Sequence, residues 1–367
     1  MEAIRMANTI INTDPIKINL PESLYQSLLS DAASFEVLKR DGERINLNGF
    51  MSSFVSGYYE KYLEEVSRRA RRIREMLSPF ITDQTQLDRA TLELVEDDKS
   101  IDGASSKDAN SKSLKFRPTK ETDGIIIEIE EERRTANESL SGFFRKMLYS
   151  YSKKPTYERE RIIYHGITDL LERACSSKKE ITFTYRDKPG LLHRVVPYRI
   201  RYGTDELHNY LLCQEYNEFR DEMVAMSYRL CRIVNPRITK VDGQLDSRTT
   251  ERLVKMEKYG PQYTINEETE TCVEFTPDGR KSFQRLYQGR PIVDRKEPED
   301  DSGNVKYYFT CSQDQLYLYL RRFNPGETTI LYPEGLKARL YQFHLLHLIN
   351  LEPEDGVASK SSTLDSD

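Results

Sequence analysis

The amino-acid sequence predicts an α+β protein with several domains. Its 367 residues exceed the size of one ordinary hydrophobic core. Several short segments alternate apolar and polar residues between residues 179 and 245, as half-buried strands do. Strand and helix patterns alternate after residue 246. The formal net charge of −5 makes the whole chain no obvious polyanion binder, so a basic working surface would have to be local.

Residues 1–90 begin with a strand pattern that is followed by two helical patterns. In the strand, the polar Lys17 and Asn19 alternate with apolar residues and therefore face the opposite side. Pro21 opens the first helix, because proline is favoured at a first helical position. The second helix is long and carries aromatic residues at helical spacing.

This order, with I-x-I-x-L-P-E-S-L-Y at its start, resembles a ribbon–helix–helix domain. One strand cannot form a sheet alone, so the resemblance implies that two copies pair their strands in a homodimer. In that family the outward strand side chains contact DNA, and these correspond to Lys17 and Asn19. A ribbon that serves dimerisation only is an equally good interpretation, because one basic residue lies on that face.

A basic patch lies further along the long helix, at Arg68, Arg71 and Arg72. Spacings of three and four place such residues on one helical face. A phosphate-contacting surface is one interpretation. A solvated face with salt bridges to Glu64, Glu65 and Glu75 is the other, and it is slightly better supported.

Residues 91–124 are rich in Ser, Asp, Lys and Glu and predict a flexible linker. In the region 125–178 the sequence predicts a strand, which begins at residue 124 and ends at 130, and then helices. The segment that starts at Leu140 repeats the one that starts at Leu47, with Leu, Gly, Phe and Tyr at matching offsets. This region is therefore a candidate second ribbon–helix–helix half, and its strand could pair with the first inside one chain.

Residues 179–245 contain four strand patterns, at 180–185, 191–202, 209–216 and 224–234. β-branched and aromatic residues alternate with polar ones, and turn residues separate the segments. We expect a curled antiparallel sheet.

The motifs I-x-F-x-Y, R-V-V-P-Y, Y-L-L and S-Y-R-L-C-R-I follow one another in this region and together resemble the WYL domain. Asn209-Tyr210-Leu211 stands at the name-giving Trp-Tyr-Leu, and the chain has no Trp. The resemblance implies a small Sm-like β-barrel that senses a ligand, with nucleic acid or nucleotides as the commonest suggestions.

Arginines and tyrosines are combined in this module, which suits single-stranded RNA. Guanidinium groups grip phosphates in forked geometry, and tyrosine rings stack on unpaired bases. Strand alternation prevents all of these side chains from facing one way, and a core role is the better interpretation for Tyr210 and Tyr228. Arg194, Arg229 and Arg232 are the favoured functional residues, because arginine is seldom buried without a partner. The full set of candidate RNA-binding residues is Arg194, Tyr198, Arg199, Arg201, Tyr210, Tyr228, Arg229 and Arg232.

Residues 246–350 contain two β-α-β patterns, which suggest a ferredoxin-like sandwich. The region also resembles the extension that often follows WYL domains, including the helix start P-E-G-L-K-A-R-L. Residues 351–367 are acidic and predict a disordered tail.

Motifs for catalysis, metals and cofactors are nearly absent, so we expect a protein that is not an enzyme and holds no metal or cofactor. Arg339 with His344, and less closely Arg159 with His165, fit a loose R-x-x-x-x-H pattern of RNA nucleases, but ordinary helical histidines explain them better. The five cysteines are widely spaced and indicate reduced thiols. No membrane span or signal peptide is evident, which favours the cytoplasm.

The combination of these domains resembles two groups of proteins. The long front region and the acidic, Ser-rich insertion resemble most closely the WYL accessory proteins of type VI-D CRISPR systems. That resemblance implies a dimeric, single-stranded-RNA-binding protein that enhances RNA cleavage by an RNA-guided nuclease. The alternative is a ligand-responsive transcriptional regulator, which would use the ribbon for operator DNA and the WYL module as sensor.

Overall fold

The computed structural model describes residues 15–96, 111–136, 138–266 and 270–351. The chain divides into two compact units. The first unit contains residues up to 215 together with 228–244, and the second contains residues 216–227 together with those from 245 onward.

The first unit begins with one strand and three helices. Helix α1 starts directly after Pro21, and the side chain of Asn46 caps α2 by accepting a hydrogen bond from the Gly49 N–H. The bounds are β1 (Ile16–Pro21), α1 (Glu22–Ser34), α2 (Leu47–Leu77) and α3 (Gln84–Glu96). Helix α3 packs against α2, so the predicted linker begins with ordered structure, and residues 97–110 lie outside the described residues.

A two-stranded antiparallel ribbon is formed within the chain. Strand β2 (Ser111–Phe116) pairs with β1, and Ile18 lies opposite Leu114. Ile18, Leu20, Leu114 and Phe116 are buried on one face of the ribbon, and Lys17, Asn19, Ser113 and Lys115 lie on the other. A second copy is therefore not needed to complete this ribbon. Strand β2 lies in the segment 91–124, for which the sequence predicts a linker, because the two apolar residues of β2 are surrounded by Ser and Lys.

The strand predicted over 124–130 is wrong, because this segment lies in helix α4 (Asp123–Ala136). Ile126 and Ile129 are buried, three positions apart, whereas Ile127 is 41% exposed. That spacing is helical, since a strand would bury alternate residues. The run of β-branched residues indicated a strand, and packing of one helical face prevails over that local preference.

The chain contains two strand–helix–helix units, at 16–77 and 111–152, which contact each other reciprocally. Helix α5 (Leu140–Ser152) corresponds to the start of α2. The side chain of Asn48 accepts a hydrogen bond from the Arg117 N–H at 2.7 Å, beyond the end of β2. The hydroxyl of Ser141 accepts one from the Asn19 N–H of β1 at 3.1 Å. Helices α2 and α5 thus each begin against the strand of the other strand–helix–helix unit.

Aromatic rings from α2 and α5 fill the centre of this core. Tyr58 and Tyr151 occupy equivalent places in the two repeated segments, and their ring centroids lie 6.2 Å apart. Phe54 packs edge-on against Tyr151 at 5.3 Å. The sequence repeat therefore marks residues that meet in three dimensions.

The rest of the first unit consists of two further helices and most of a five-stranded sheet, whose residues 216–227, in β5 and β6, belong to the second unit. The bounds are α6 (Thr156–Ile163), α7 (His165–Ser177), β3 (Lys179–Tyr185), β4 (Lys188–Tyr202), β5 (Asn209–Asn217), β6 (Glu222–Arg229) and β7 (Ile233–Asp242). The strand order is β6-β5-β4-β3-β7, and β3 is antiparallel to both of its neighbours. The predicted strand at 224–234 is divided into β6 and β7 by a single 3₁₀ turn, Leu230–Arg232.

The second unit contains a four-stranded sheet with the order β11-β8-β10-β9, and neighbouring strands are antiparallel. Its aromatic core includes Phe275, Phe283 and Tyr319. The bounds are α8 (Ser247–Tyr259), β8 (Thr271–Phe275), α9 (Pro277–Arg285), β9 (Arg295–Lys296), β10 (Val305–Phe309), α10 (Gln313–Leu320), β11 (Thr328–Tyr332) and α11 (Glu334–Leu351).

All five cysteines are reduced. Within the described ranges, no helix combines the length and the apolar character that crossing a membrane requires.

Candidate nucleic-acid interface

A β-bulge in β4 decides which arginines share a face of the five-stranded sheet. Two consecutive residues of β5 oppose the three residues Pro197 to Arg199, so Tyr198 is an extra residue in the ladder. Successive side chains of a strand point to opposite faces, and one extra residue inverts that alternation. Arg194, before the bulge, therefore lies on the same face as Arg199 and Arg201, after it. We call these three residues the β4 arginine row.

The β4 arginine row is exposed, although α7 packs against β3, β4 and β7. Arg194 is 66% exposed and lies 3.5 Å from a carboxylate oxygen of Glu180, a contact that contributes little at such exposure. The guanidinium of Arg199 lies 4.9 Å from the ring centroid of the half-buried Tyr198. A guanidinium group and an aromatic ring therefore lie next to each other at the bulge.

Arg229 and Arg232 lie in a different environment, around one carboxylate. The Nη2 of Arg232 lies 2.7 Å from Oε1 of Glu36, and the Nη1 of Arg229 lies 3.6 Å from the same oxygen. Arg186, at the end of β3, contributes a third guanidinium 3.4 Å from Oε2 of Glu36. We call these four residues the Glu36 cluster. It joins the segment after α1 to the sheet.

The cluster continues inward through a buried polar chain. Arg229 donates to the Ser34 carbonyl at 2.6 Å and contacts the ring of His208 at 2.8 Å. The carboxylate of the fully buried Glu160 accepts from the side chain of Asn209 at 2.8 Å. Asn209 stands where the resemblance places Trp, and it holds α6 against β5 by hydrogen bonds instead of by an indole.

Tyr228 is a core residue in this structure. Its hydroxyl bonds to Glu215 and lies 2.9 Å from Nδ1 of His193, and its side chain is 4% exposed. Burial raises the pKa of Tyr228 far above its usual range. Tyr210 is half-buried, and burial also raises its pKa. RNA stacking on Tyr210 or Tyr228 stays a prediction, and it would require these side chains to leave their present contacts.

The outward face of the ribbon carries more basic residues than β1 alone indicated. Lys17 lies directly opposite Lys115, and Asn19 lies opposite Ser113. Both lysines are exposed. Like charges directly opposite each other are destabilising, which a polyanionic partner would relieve.

The predicted basic patch lies on the exposed second half of α2. Arg68, Arg71 and Arg72 are all exposed, and no carboxylate of the described residues forms an ion pair with them. Arg74, one turn further on, pairs with Asp88 of α3. The expected salt bridges to Glu64 and Glu65 are therefore not formed in the described chain, and phosphate binding by this patch stays a prediction.

The residues of the nuclease-like patterns have structural partners. Arg159 forms an ion pair with the buried Asp31 at 2.7 Å, and Nδ1 of His165 lies 3.3 Å from the Ile162 carbonyl oxygen. Arg339 pairs with Asp314. Among the described residues, no group of three His, Cys, Asp or Glu side chains could hold a metal ion.

Sequence reasoning missed three features of these surfaces. Glu36 and Arg186 had no motif that pointed to them, because their partners are distant in the chain. Lys115 lay in the presumed linker. The bulge at Tyr198 leaves no clear signal in the strand pattern. Pro197 precedes it, and proline inside a sheet is often found at a bulge.

Comparisons with known proteins give the fold and no family. No protein-family model matches the sequence, and no curated protein matches it. A solved structure described as a crystal structure of a CRISPR Cas-related protein is similar, with a TM-score of 0.64 and 16% identity. The match covers 92% of this chain and 94% of that chain. At this identity the similarity shows a shared fold alone.

A second solved structure, proteasome accessory factor B/C (PafBC) of Arthrobacter aurescens, is matched at 13% identity over 96% of this chain and 52% of that chain. Its TM-score of 0.26 is too low to indicate a common arrangement. Of these two structures, the CRISPR Cas-related one bears on the fold.

Proposed function

We propose that this chain is a single-stranded-RNA-binding accessory protein, which enhances RNA cleavage by a type VI-D CRISPR RNA-guided nuclease and does not itself cleave RNA. In this proposal, the five-stranded sheet is an Sm-like WYL domain. The two strand–helix–helix units, at 16–77 and 111–152, are a ribbon–helix–helix pair closed within one chain. The second compact unit of the chain is a ferredoxin-like extension.

The β4 arginine row is the observation that carries the proposal. Arg199 and Arg201 are two residues apart, which in a strand is about 6.8 Å. This spacing is comparable with that of successive phosphates in an extended single strand. Tyr198, at the bulge, adds an aromatic ring beside Arg199, and such rings stack on bases of any sequence.

The fold comparison supports the proposal at a coarser level. The match with a CRISPR Cas-related protein extends over nearly the whole of both chains, so it includes all the proposed domains. In the second unit, the strand order β11-β8-β10-β9 is the order of a β-α-β-β-α-β sandwich. The reciprocal contacts of the two strand–helix–helix units support the closed pair.

Binding of labelled single-stranded RNA, measured over a series of salt concentrations, tests the proposal. The triple variant Arg194→Ala/Arg199→Ala/Arg201→Ala should bind more weakly than wild type. Its plot of log affinity against log salt should be less steep by about 2, because each phosphate contact on a single strand contributes about 0.7.

A matched control removes three exposed arginines elsewhere in the first unit, in the variant Arg44→Ala/Arg89→Ala/Arg173→Ala. It lowers the net charge equally and should keep the wild-type slope. Equal losses in both variants would show that affinity follows net charge and would remove the β4 arginine row from the proposal.

A reconstituted type VI-D nuclease provides the functional test. Wild-type protein should accelerate cleavage of target RNA, and the β4 triple variant should do so less at the same concentration. The variant His165→Ala/His344→Ala should stimulate as wild type does. If RNA cleavage were lost with this double variant and kept with the other variants, the chain would itself be the nuclease.

A DNA-binding regulator is the second candidate, and the ribbon favours it. A two-stranded ribbon fits the major groove of B-DNA, and Lys17 and Lys115 project from its outward face. If duplex DNA is the ligand, the plot of log DNA affinity against log salt should be less steep by about 1.8 for Lys17→Ala/Lys115→Ala. Each phosphate contact on duplex DNA contributes about 0.9 to that slope. The regulator would be favoured if wild type binds duplex DNA tightly and RNA weakly, and if this variant loses the binding of duplex DNA.

A further inference from the structure

The second unit has a basic surface where helices α9 and α10 end. Its sequence contains no Asp or Glu over 279–293 or over 315–326, whereas these segments hold four and two Lys or Arg residues. Arg285 is the last residue of α9, and Arg321 and Arg322 follow directly after α10. The arginines of both segments are exposed from residue 285 onward. In a chain of net charge −5, this is a local positive surface.

Two of these arginines lie over neighbouring aromatic rings. The guanidinium of Arg322 is 4.6 Å from the ring centroid of Tyr319, and that of Arg290 is 5.6 Å from the ring centroid of Phe283. The two rings are themselves 5.6 Å apart. Burial raises the pKa of Tyr319 to about 12, and both guanidinium groups oppose that rise. Two like charges therefore act on the same hydroxyl.

Neither of these two guanidinium groups is neutralised. Other arginines of the second unit pair with carboxylates, namely Arg280 with Glu299, Arg295 with Glu270 and Arg339 with Asp314. Among the residues that the structure describes, no carboxylate forms an ion pair with Arg290 or Arg322. Of five N–H donors each, Arg290 uses one and Arg322 uses two, all on backbone carbonyl oxygens. A phosphate could therefore bind here without displacing a carboxylate.

Tyr287 adds an aromatic ring to the same corner of the unit. The Arg290 N–H donates to the Tyr287 carbonyl oxygen at 3.2 Å, which closes a tight turn, and Arg322 donates to the carbonyl oxygen of Gln288 within it at 2.8 Å. Gly289 has a φ of +66°, which glycine adopts at little cost. Tyr287 is 79% exposed, and within the described chain it makes no hydrogen bond or ring contact. We call Tyr287, Arg290 and Arg322 the Tyr287 cluster.

We propose that the Tyr287 cluster is a second binding site for single-stranded RNA, in which Arg290 and Arg322 contact phosphate and the ring of Tyr287 stacks on an unpaired base. This inference rests on the proposed function and adds a second RNA contact to it. Like charges held on neighbouring rings repel each other, and a phosphate that both contact removes that repulsion.

The exposed ring distinguishes single-stranded RNA from other anionic partners. An acidic protein surface or a duplex would use the guanidinium groups alone, because a duplex hides its base faces in the helical stack. Unpaired bases of any sequence stack on an aromatic ring. The combination also matches the bulge of β4, where Arg199 lies beside Tyr198.

Binding of labelled single-stranded RNA and of duplex RNA to the full chain tests the proposal. Tyr287→Ala should weaken binding of the single strand about fivefold or more and leave duplex binding unchanged. Arg290→Ala/Arg322→Ala should weaken binding of the single strand, and its plot of log affinity against log salt should be less steep by about 1.4. Each substitution is measured in wild type and in the β4 triple variant, so that the first site cannot mask the second.

Lys255→Ala/Lys337→Ala is the matched control, because it removes two exposed charges elsewhere in the second unit and should bind RNA as wild type does. Circular dichroism checks that the arginine variant is folded, since its side chains also hold the turn, whereas Tyr287→Ala removes no contact of the fold.

The inference is overturned if Tyr287→Ala binds single-stranded RNA as its parent does in both backgrounds. If the β4 triple variant then still binds RNA more weakly than wild type, the proposed function stands without this second site. A wild type that binds no single-stranded RNA overturns both. Equal losses of single-stranded and duplex RNA in Tyr287→Ala would also contradict stacking on an unpaired base.

Discussion

The carboxylate of Glu36 lies 2.7 Å from the guanidinium of Arg232, although 196 positions separate the two residues. Glu36 follows α1 and has a φ of +55°, a conformation that few residues other than glycine adopt. Its carbonyl oxygen also accepts a hydrogen bond from Arg186. This one residue therefore holds the ribbon-bearing region and the five-stranded sheet in contact through both its backbone and its side chain.

Glu36→Gln should destabilise the protein by about 1–3 kcal/mol, because three guanidinium groups lose the negative charge of the carboxylate with which they all pair. The free energy of unfolding in urea is the quantity to measure. Glu93→Gln is the control, since Glu93 is 65% exposed and pairs with the exposed Arg89, and we expect a loss of less than about 1 kcal/mol. Equal effects would mean that the Glu36 cluster contributes no more than a surface pair.

Arg232→Ala should separate a structural role from RNA binding. Under the β4 proposal, it lowers the free energy of unfolding and leaves the RNA affinity of the folded protein near wild type, because Arg232 is engaged by Glu36 and Asp187. Both quantities can be measured on one preparation. A loss of RNA affinity without a loss of stability would place RNA at the Glu36 cluster, with its phosphates replacing the carboxylate.

Gly57→Ala should be strongly destabilising, because α2 passes close to α6 and α7 at this point. An added Cβ would lie 2.3 Å from the Ile162 carbonyl oxygen and 2.6 Å from Nδ1 of His165. Overpacking of this kind costs about 1–3 kcal/mol. Gly166→Ala is the matched control, since nothing lies within 4 Å of its Cβ and alanine favours a helix by about 0.5–1 kcal/mol. Thermal denaturation of both variants should show shifts of opposite sign.

Local patterns predicted the elements whose partners are near in sequence. The start of α1 after Pro21 follows from residues within one turn of that boundary. The repeat between the segments at Leu47 and Leu140 indicated where the two long helices meet. These signals act over short distances, so one sequence is enough to recognise them.

The remaining features depend on contacts that no local pattern records. The segment at 124–130 is helical because Ile126 and Ile129 find a buried face, and β2 takes the place beside β1 that this segment was expected to fill. Similarly, the bulge at Tyr198 depends on how β5 lies beside β4. Strand alternation alone would place Arg194 on the face opposite Arg199.

Alkaline pH should destabilise the protein, because buried thiols favour their neutral form. Burial raises the pKa of Cys231 to about 12 and that of Cys213 well above its usual range. The unfolded thiols ionise near pH 8.5, so the stabilisation is complete below that pH and is lost as the pH rises towards the folded pKa. Each thiol accounts for about 1.4 kcal/mol one pH unit above its unfolded pKa.

Urea unfolding of wild type and of Cys213→Ala/Cys231→Ala, measured between pH 7.5 and pH 9.5 under reducing conditions, checks this expectation. The double variant starts from a lower stability, because it lacks two buried side chains, and its profile should be flatter. Parallel profiles would show that other groups cause the alkaline loss.

The intrachain ribbon can be tested by a disulfide across it. Asn19 and Ser113 lie directly opposite each other, and the Cβ atoms of such cross-strand neighbours are about 4.5–5.5 Å apart, near the separation that a disulfide spans. Oxidised Asn19→Cys/Ser113→Cys should therefore migrate as a cross-linked monomer on a denaturing, non-reducing gel. Ser113→Cys alone is the control and should form no such product. A covalent dimer would show that the strands pair between copies.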